Sequence, residues 1–258
     1  MLSFTQIQQF YPPQLHSFGS FLLREYLQHK ILALLFNSDY ALKFAFLGGT
    51  CLRIVHQTNR FSEDLDFDNF NLLPKDFEQV AVIIQEGLER EGLIVEMEQV
   101  YKGAFHCYIK FPHLLHQAGL SGHRDAKILI QLDTEPQNFD FEPELFLLNK
   151  FDVFSSIRTT PIDILLSQKI TAFLNRKQPK GRDIYDITFL CSKTRPNYAY
   201  LEQKFNIKTP NALKERLQNR IQALDLNQQA KDVSPFLFYN QDIQRILLFN
   251  QFVQQTPF

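Results

Sequence analysis

Phe46-Leu47-Gly48-Gly49-Thr50-Cys51-Leu52-Arg53, followed by Arg60-Phe61-Ser62-Glu63-Asp64-Leu65-Asp66-Phe67, is the stretch from which the rest of this 258-residue chain is read. A mostly apolar run from Ala41 to Leu47 ends in two glycines and a hydroxyl residue. An amphipathic segment and then an apolar/acidic alternation follow, a pattern that predicts strand, tight turn, helix from near Thr50, and strand. Alternate residues of a strand share a face, so Asp64 and Asp66 are expected to point together while Leu65 and Phe67 enter the core. Adjacent carboxylates repel, and they share a buried element when a cation or a shared proton relieves them. A hard divalent cation such as Mg²⁺, completed by phosphate oxygens, suits such a pair. Gly48 and Gly49 let a ligand approach the backbone, and the N–H groups of the following helix favour an anion. This is equipment for attack on a nucleoside triphosphate.

These residues resemble a known pattern. Gly49-Thr50 and Asp64-Leu65-Asp66 are similar to the Gly-Gly/Ser and Asp-x-Asp signature of polymerase-β superfamily nucleotidyltransferases, with a spacer at the long end of its range. The fuller string, Gly-Gly-Thr-x-Leu-Arg ending in Arg-Phe-Ser-Glu-Asp-Leu-Asp-Phe, resembles the AbiEii/MenT toxin family of nucleotidyltransferases. The resemblance implies a mixed α+β fold in two lobes. Residues 1–157 would form a polymerase-β-type nucleotidyltransferase sheet lobe with an N-terminal helix, and residues 158–258 a helical lobe closing the cleft.

Further site residues follow along the chain. Ile128-Leu129-Ile130-Gln131-Leu132-Asp133 places a carboxylate at the end of a buried strand, where the alternative is a turn former or helix cap. The superfamily carries a third carboxylate on a neighbouring strand, which implies that Asp133 completes the metal site with Asp64 and Asp66 and helps deprotonate the acceptor. Thr160-Pro161 predicts a helix start, with a hydroxyl N-cap and proline at the first position. Lys169 and Arg176, seven residues apart, lie near one helix face. Lys169, Ala172 and Arg176, followed by Arg182-Asp183-x-x-Asp186, again resemble the toxin family. The resemblance implies that Lys169 holds the β- and γ-phosphates, that Arg176 contacts phosphate or base, and that Asp183 or Asp186 orients Lys169, Arg176 or the nucleotide. For Asp183 a plain capping role competes, and for Asp186 a pair with Arg182. Arg60 is expected to neutralise triphosphate charge, and Ser62 to hydrogen-bond phosphate, the adjacent turn or a neighbouring loop. Gly48, Gly49 and Thr50 complete the nucleotide-binding set.

Composition narrows the class. A hydrophobic content of 45% and a charged content of 21% are those of a globular domain, and 26 Phe without Trp speak of core filling. A net charge of −1 argues against a generic nucleic-acid coat. Lys204, Lys208, Lys214, Arg216 and Arg220 make the C-terminal region locally basic, as a solvated helix face or as a contact for RNA phosphates. No apolar run spans a bilayer, no signal-peptide layout opens the chain, and Cys51, Cys107 and Cys191 lack metal or disulfide spacing, so a cytoplasmic location is expected. His113-x-x-His116 lacks the frame of a zinc site.

The remaining elements are read from periodicity. A helix is expected through Leu15 to Leu35 and another over Lys75–Arg90; strands are expected over Leu93–Val100, Phe105–Phe111 and Ala126–Leu132. Leu114–Arg124 reads as a loop, and Ala212–Leu224 and Asp242–Phe252 as helices. The expected chemistry is Mg²⁺-dependent transfer of an NMP from an NTP to an acceptor hydroxyl, with Mn²⁺ as a substitute cation. By resemblance, the acceptor would be tRNA or another RNA, and a cognate antitoxin encoded beside the chain would restrain it in a toxin–antitoxin or phage-defence pair. Transfer to a protein or small molecule, and a silent nucleotide-binding module of the same fold, are the alternatives.

Overall fold

The structure, a computed structural model, describes residues 1–102 and 104–258. The chain divides into two compact units: Met1–Gln57 with Phe61–Thr160, and Thr58–Arg60 with Pro161–Phe258. The boundary expected after residue 157 therefore lies at Thr160, and three residues from the glycine-to-aspartate spacer belong to the second unit.

In the first unit, α1 (Phe4–Gln8) opens on a capping box between Ser3 and Gln6. A 3₁₀ segment over Pro13–Phe18 leads into α2 (Gly19–Phe36), so the helix expected from Leu15 has an irregular first turn and becomes α-helical only at Gly19. Proline fixes the backbone there and supplies no N–H donor. Next come β1 (Phe44–Leu47), α3 (Gly48–Ile54), β2 (Leu65–Asn69), α4 (Pro74–Arg90), β3 (Glu96–Lys102) and β4 (Ala104–Phe111). The short α5 (Leu114–Gln117) interrupts what reads as loop. Strand β5 (Ile128–Thr134) and the hairpin of β6 (Glu144–Lys150) and β7 (Val153–Thr159) complete the unit.

These strands form one seven-stranded mixed sheet in the order β3-β4-β5-β2-β1-β7-β6. β1 runs antiparallel to β2 and parallel to β7, while β2 runs parallel to β5. Phenylalanines fill the layer under the central strands: Phe46 and Phe67 pair across β1 and β2 with ring centroids 5.5 Å apart, and Phe44 meets Phe67 edge-on at 5.7 Å. Helix α2 buries Glu25, Gln28, His29 and Lys30 beside its leucines, so its polar residues work inside the unit rather than in water.

The second unit is helical: α6 (Ile162–Asn175), α7 (Gly181–Leu190), α8 (Tyr198–Phe205), α9 (Pro210–Ile221), α10 (Leu226–Val233), α11 (Gln244–Leu247) and α12 (Phe249–Gln255). The helix expected over Asp242–Phe252 is thus two short ones. Thr160 does not cap α6. Its N–H completes the sheet by donating to Phe46 O at 2.9 Å, and Pro161 occupies the cap position. Arg60 forms an isolated antiparallel bridge with Leu237, and Phe238 N donates to Asn59 O at 3.0 Å, which fastens Thr58–Arg60 to this unit.

Candidate active site

One row of register partners crosses the sheet through its acidic residues. His106 on β4 pairs with Asp133 on β5, Asp133 with Asp66 on β2, and Asp66 with Leu47 on β1, immediately before Gly48. Partners on neighbouring strands share a face about 4.8 Å apart, so the two aspartates are side by side. Gly48 has φ +79°, and a β-carbon there would overlap the Asp66 carboxylate. Both facts require glycine: the left-handed backbone disfavours a side chain, and no space remains for one. The turn begins α3 at Gly48, two residues ahead of the expected start, with Gly49 and Thr50 in its buried first turn.

Asp64 departs from expectation. β2 begins at Leu65, so Asp64 precedes the strand instead of standing two rungs along it. Thr50, fully buried, donates its hydroxyl to the Asp64 carbonyl. That bond spends the Thr50 hydroxyl on the backbone of the acidic segment. Ser62 lies half-buried in the same segment.

Asp133 is the penultimate residue of β5, and its carboxylate is well supplied with donors. His106 Nδ1 is 2.7 Å from Asp133 Oδ1, and Gln131 Nε2 is 2.8 and 2.9 Å from the two oxygens. Asp133 and His106 keep 29% and 26% of their side-chain surface open, so a substrate can still reach them. His106 escaped the sequence reading because its partner is fixed by strand register, which spacing along the chain does not carry. Asp68 escaped it too: it is buried on the Asp66 face and accepts from Gln137 N at 2.8 Å.

The donor set suits a hard cation. It offers carboxylate oxygens only, with two of its members in register and one packed against a glycine turn. Mg²⁺ needs one or two protein carboxylates, the rest coming from water and phosphate. No group of three or more His, Cys, Asp or Glu side chains gathers for a metal among the described residues. Of the three carboxylates expected at the cation, Asp66 and Asp133 stand in register and Asp64 immediately precedes β2.

The second unit holds the remaining expected residues in two ion-pair groups. Asp186, fully buried, accepts from Arg60 Nε at 2.7 Å and Nη2 at 2.6 Å, and Lys169 Nζ stands 2.9 Å from its Oδ2. Burial opposes ionisation of Asp186, but Arg60 and then Lys169 outweigh it and hold the carboxyl below its ordinary range. Arg60, expected on the triphosphate, is 1% exposed with its fork closed on Asp186; its charge is spent inside the unit. The Asp186–Arg182 pair weighed from sequence gives way to these partners. Arg176 Nη1 is 2.7 Å from Asp183 Oδ2, and Asp183 also accepts from Lys180 N at 3.4 Å at the start of α7. Both aspartates therefore orient a basic residue, Asp183 with Arg176 and Asp186 with Lys169.

The family described as "Nucleotidyl transferase AbiEii toxin, Type IV TA system" matches residues 30–248. The chain belongs to the AbiEii family. It is a nucleotidyltransferase of type IV toxin–antitoxin context, a setting that implies a nucleotide substrate and a cognate antitoxin. Two solved structures share the AbiEii chain's fold. JHP933 from Helicobacter pylori is 18% identical, with 91% of this chain and 90% of that chain covered and a TM-score of 0.56. An H. pylori protein described as a nucleotidyltransferase is 17% identical, with 91% and 94% covered and a TM-score of 0.57. No curated protein matches the AbiEii chain. No helix among the described residues is long and apolar enough to cross a membrane.

Proposed function

We propose that this AbiEii-family chain moves an NMP from an NTP to a hydroxyl of tRNA or another RNA in the cytoplasm, with Mg²⁺, and that its antitoxin restrains that reaction. The observation that carries the reading is the Asp133–Asp66 pair in register beside the Gly48 turn. In the reaction the acceptor oxygen bonds to the α-phosphorus, the bond to the β-phosphate bridging oxygen breaks, and pyrophosphate leaves. Asp133 takes the hydroxyl proton, with His106 and Gln131 fixing the direction of its carboxylate. Asp64, Asp66 and Asp133 would hold Mg²⁺, which supplies positive charge to offset that gathering on the transferring phosphoryl group. Gly48, Gly49 and Thr50 are assigned to the phosphates through the backbone N–H groups of the turn. In the second unit Lys169 is assigned to the triphosphate as a point charge, aimed by Asp186, and Arg176 to phosphate or base, aimed by Asp183.

The test is incubation of the full chain with each α-labelled NTP, Mg²⁺ and total cell extract. Label on tRNA with pyrophosphate release is expected. Label on protein or a small molecule would replace the acceptor, and no label with any NTP would overturn the transfer itself.

A further inference from the structure

Asp64 lies outside β2, so the sheet ladder does not hold the backbone around it. Three successive carbonyls there are gripped by side chains instead. Gln28 Nε2 on α2 donates to Ser62 O at 3.2 Å and to Glu63 O at 2.9 Å, and Thr50 on α3 donates to Asp64 O. Four residues before Gln28 on α2, Arg24 Nη1 stands 3.3 Å from Glu63 Oε1. One face of α2 thus holds this segment by both backbone and side chain.

Gln28 is 1% exposed. A buried amide left unpaired is destabilising, so an amide belongs here only because it has carbonyls to satisfy. Its two N–H groups match two adjacent carbonyls. Methionine has the length without a donor, asparagine lacks the reach, and an ionised glutamate would repel both oxygens. The glycine turn is held from the same helix, because Arg53 at the end of α3 closes on buried Glu25 with Nε at 2.8 Å.

We propose that Gln28 is a positioning residue for Asp64: by fixing the Ser62 and Glu63 carbonyls it sets where the Asp64 carboxylate stands beside Asp66. This rests on the nucleotidyl-transfer reading. Gln28 has no contact with the reacting atoms. Its effect is on geometry, where a misplacement of about 1 Å costs on the order of 10²-fold in rate.

The test compares Gln28→Met, which removes both donors, with Gln28→Glu, which keeps one when protonated, the form that burial favours. Two quantities are read on the full chain: amide exchange over residues 61–66, and kcat and KM for pyrophosphate release from the NTP. In Gln28→Met, exchange over 61–66 is expected to rise about ten-fold while the rest of the first unit keeps its protection. The rate should fall about 10²-fold with KM changed less than about 2-fold. Gln28→Glu should recover part of the rate as pH is lowered, and it carries the comparison if the methionine variant does not fold. Unchanged exchange over 61–66, exchange rising throughout the unit, or a raised KM with kcat kept would overturn the proposal. Wild-type chain that releases no pyrophosphate from any NTP would overturn the transfer reading and the catalytic purpose of Gln28 with it. Silent exchange in an active variant overturns Gln28 alone.

Discussion

Arg60 grips Asp186 with both arms of its guanidinium, at 2.7 and 2.6 Å, and both side chains are out of water. A pair of this kind is expensive to break from one side, because the surviving charge is left buried. Asp186→Asn or Arg60→Ala should therefore destabilise the second unit by about 3–5 kcal/mol. The pH dependence follows from the direction of the Asp186 shift. Its folded-state carboxyl titrates below the ordinary 3.8, so its stabilisation is full above that value and fades as pH falls through the lower one. Urea midpoints of wild type and Asp186→Asn, compared at neutral and strongly acidic pH, check both statements: the gap should narrow in acid.

Asp66→Asn and Asp133→Asn should each lower turnover by about 10³-fold or more while NTP binding changes little, since the proposed function puts these carboxylates at the reacting centre and assigns the phosphates to other groups. Pyrophosphate release together with equilibrium binding of an NTP separates the two effects. Full turnover in Asp66→Asn would remove it from the site.

Gly48→Ala should be inactive. The added methyl meets a left-handed backbone, which costs about 1–2 kcal/mol, and it displaces the Asp66 carboxylate. Circular dichroism distinguishes loss of turnover in a folded chain, the expected result, from loss of the fold.

The first unit should weaken earlier in acid than the second. Burial pushes His29 down to about 4 from 6.5, with nearby Glu25 only partly offsetting it. A lowered folded pKa makes the stabilisation complete above 6.5 and progressively lost below it, about 2 kcal/mol by pH 5. Glu25 follows at lower pH: burial would raise its carboxyl, but Arg53 and Lys150 overcome this and hold it near 2. His29→Gln should flatten the pH dependence of the urea midpoint between 6.5 and 4 while leaving the more acidic fall caused by Glu25.

Part of this was legible in the linear chain and part was not, for physical reasons. The glycine turn, the acidic strand and Asp133 announce themselves because period-two alternation and glycine placement are local signals. Lys169, Arg176, Asp183 and Asp186 stand out by their resemblance to the toxin family, with helix geometry adding only that Lys169 and Arg176 lie near one face. Arg60 of the motif misled: expected at the triphosphate, it is consumed by the buried carboxylate of Asp186, far away in sequence. His106 and Gln28 were invisible because each owes its importance to tertiary placement, a strand register in one case and a helix face in the other. The helix after Thr160 starts one residue later than its hydroxyl suggests: Pro161 takes the cap position, and the Thr160 backbone still belongs to the sheet through Phe46.

The short insertion of Thr58–Arg60 into the later helices has a bearing on how the protein can be made or divided. A fragment starting after Thr160 would enclose Asp186 without its guanidinium, so it could not be exchanged between relatives as a cassette. During synthesis Thr58–Arg60 leave the ribosome well before Asp186 and Leu237 do. Thr58–Arg60 are therefore made with the first unit but find their partners, Asp186 and Leu237, only when the later helices have emerged.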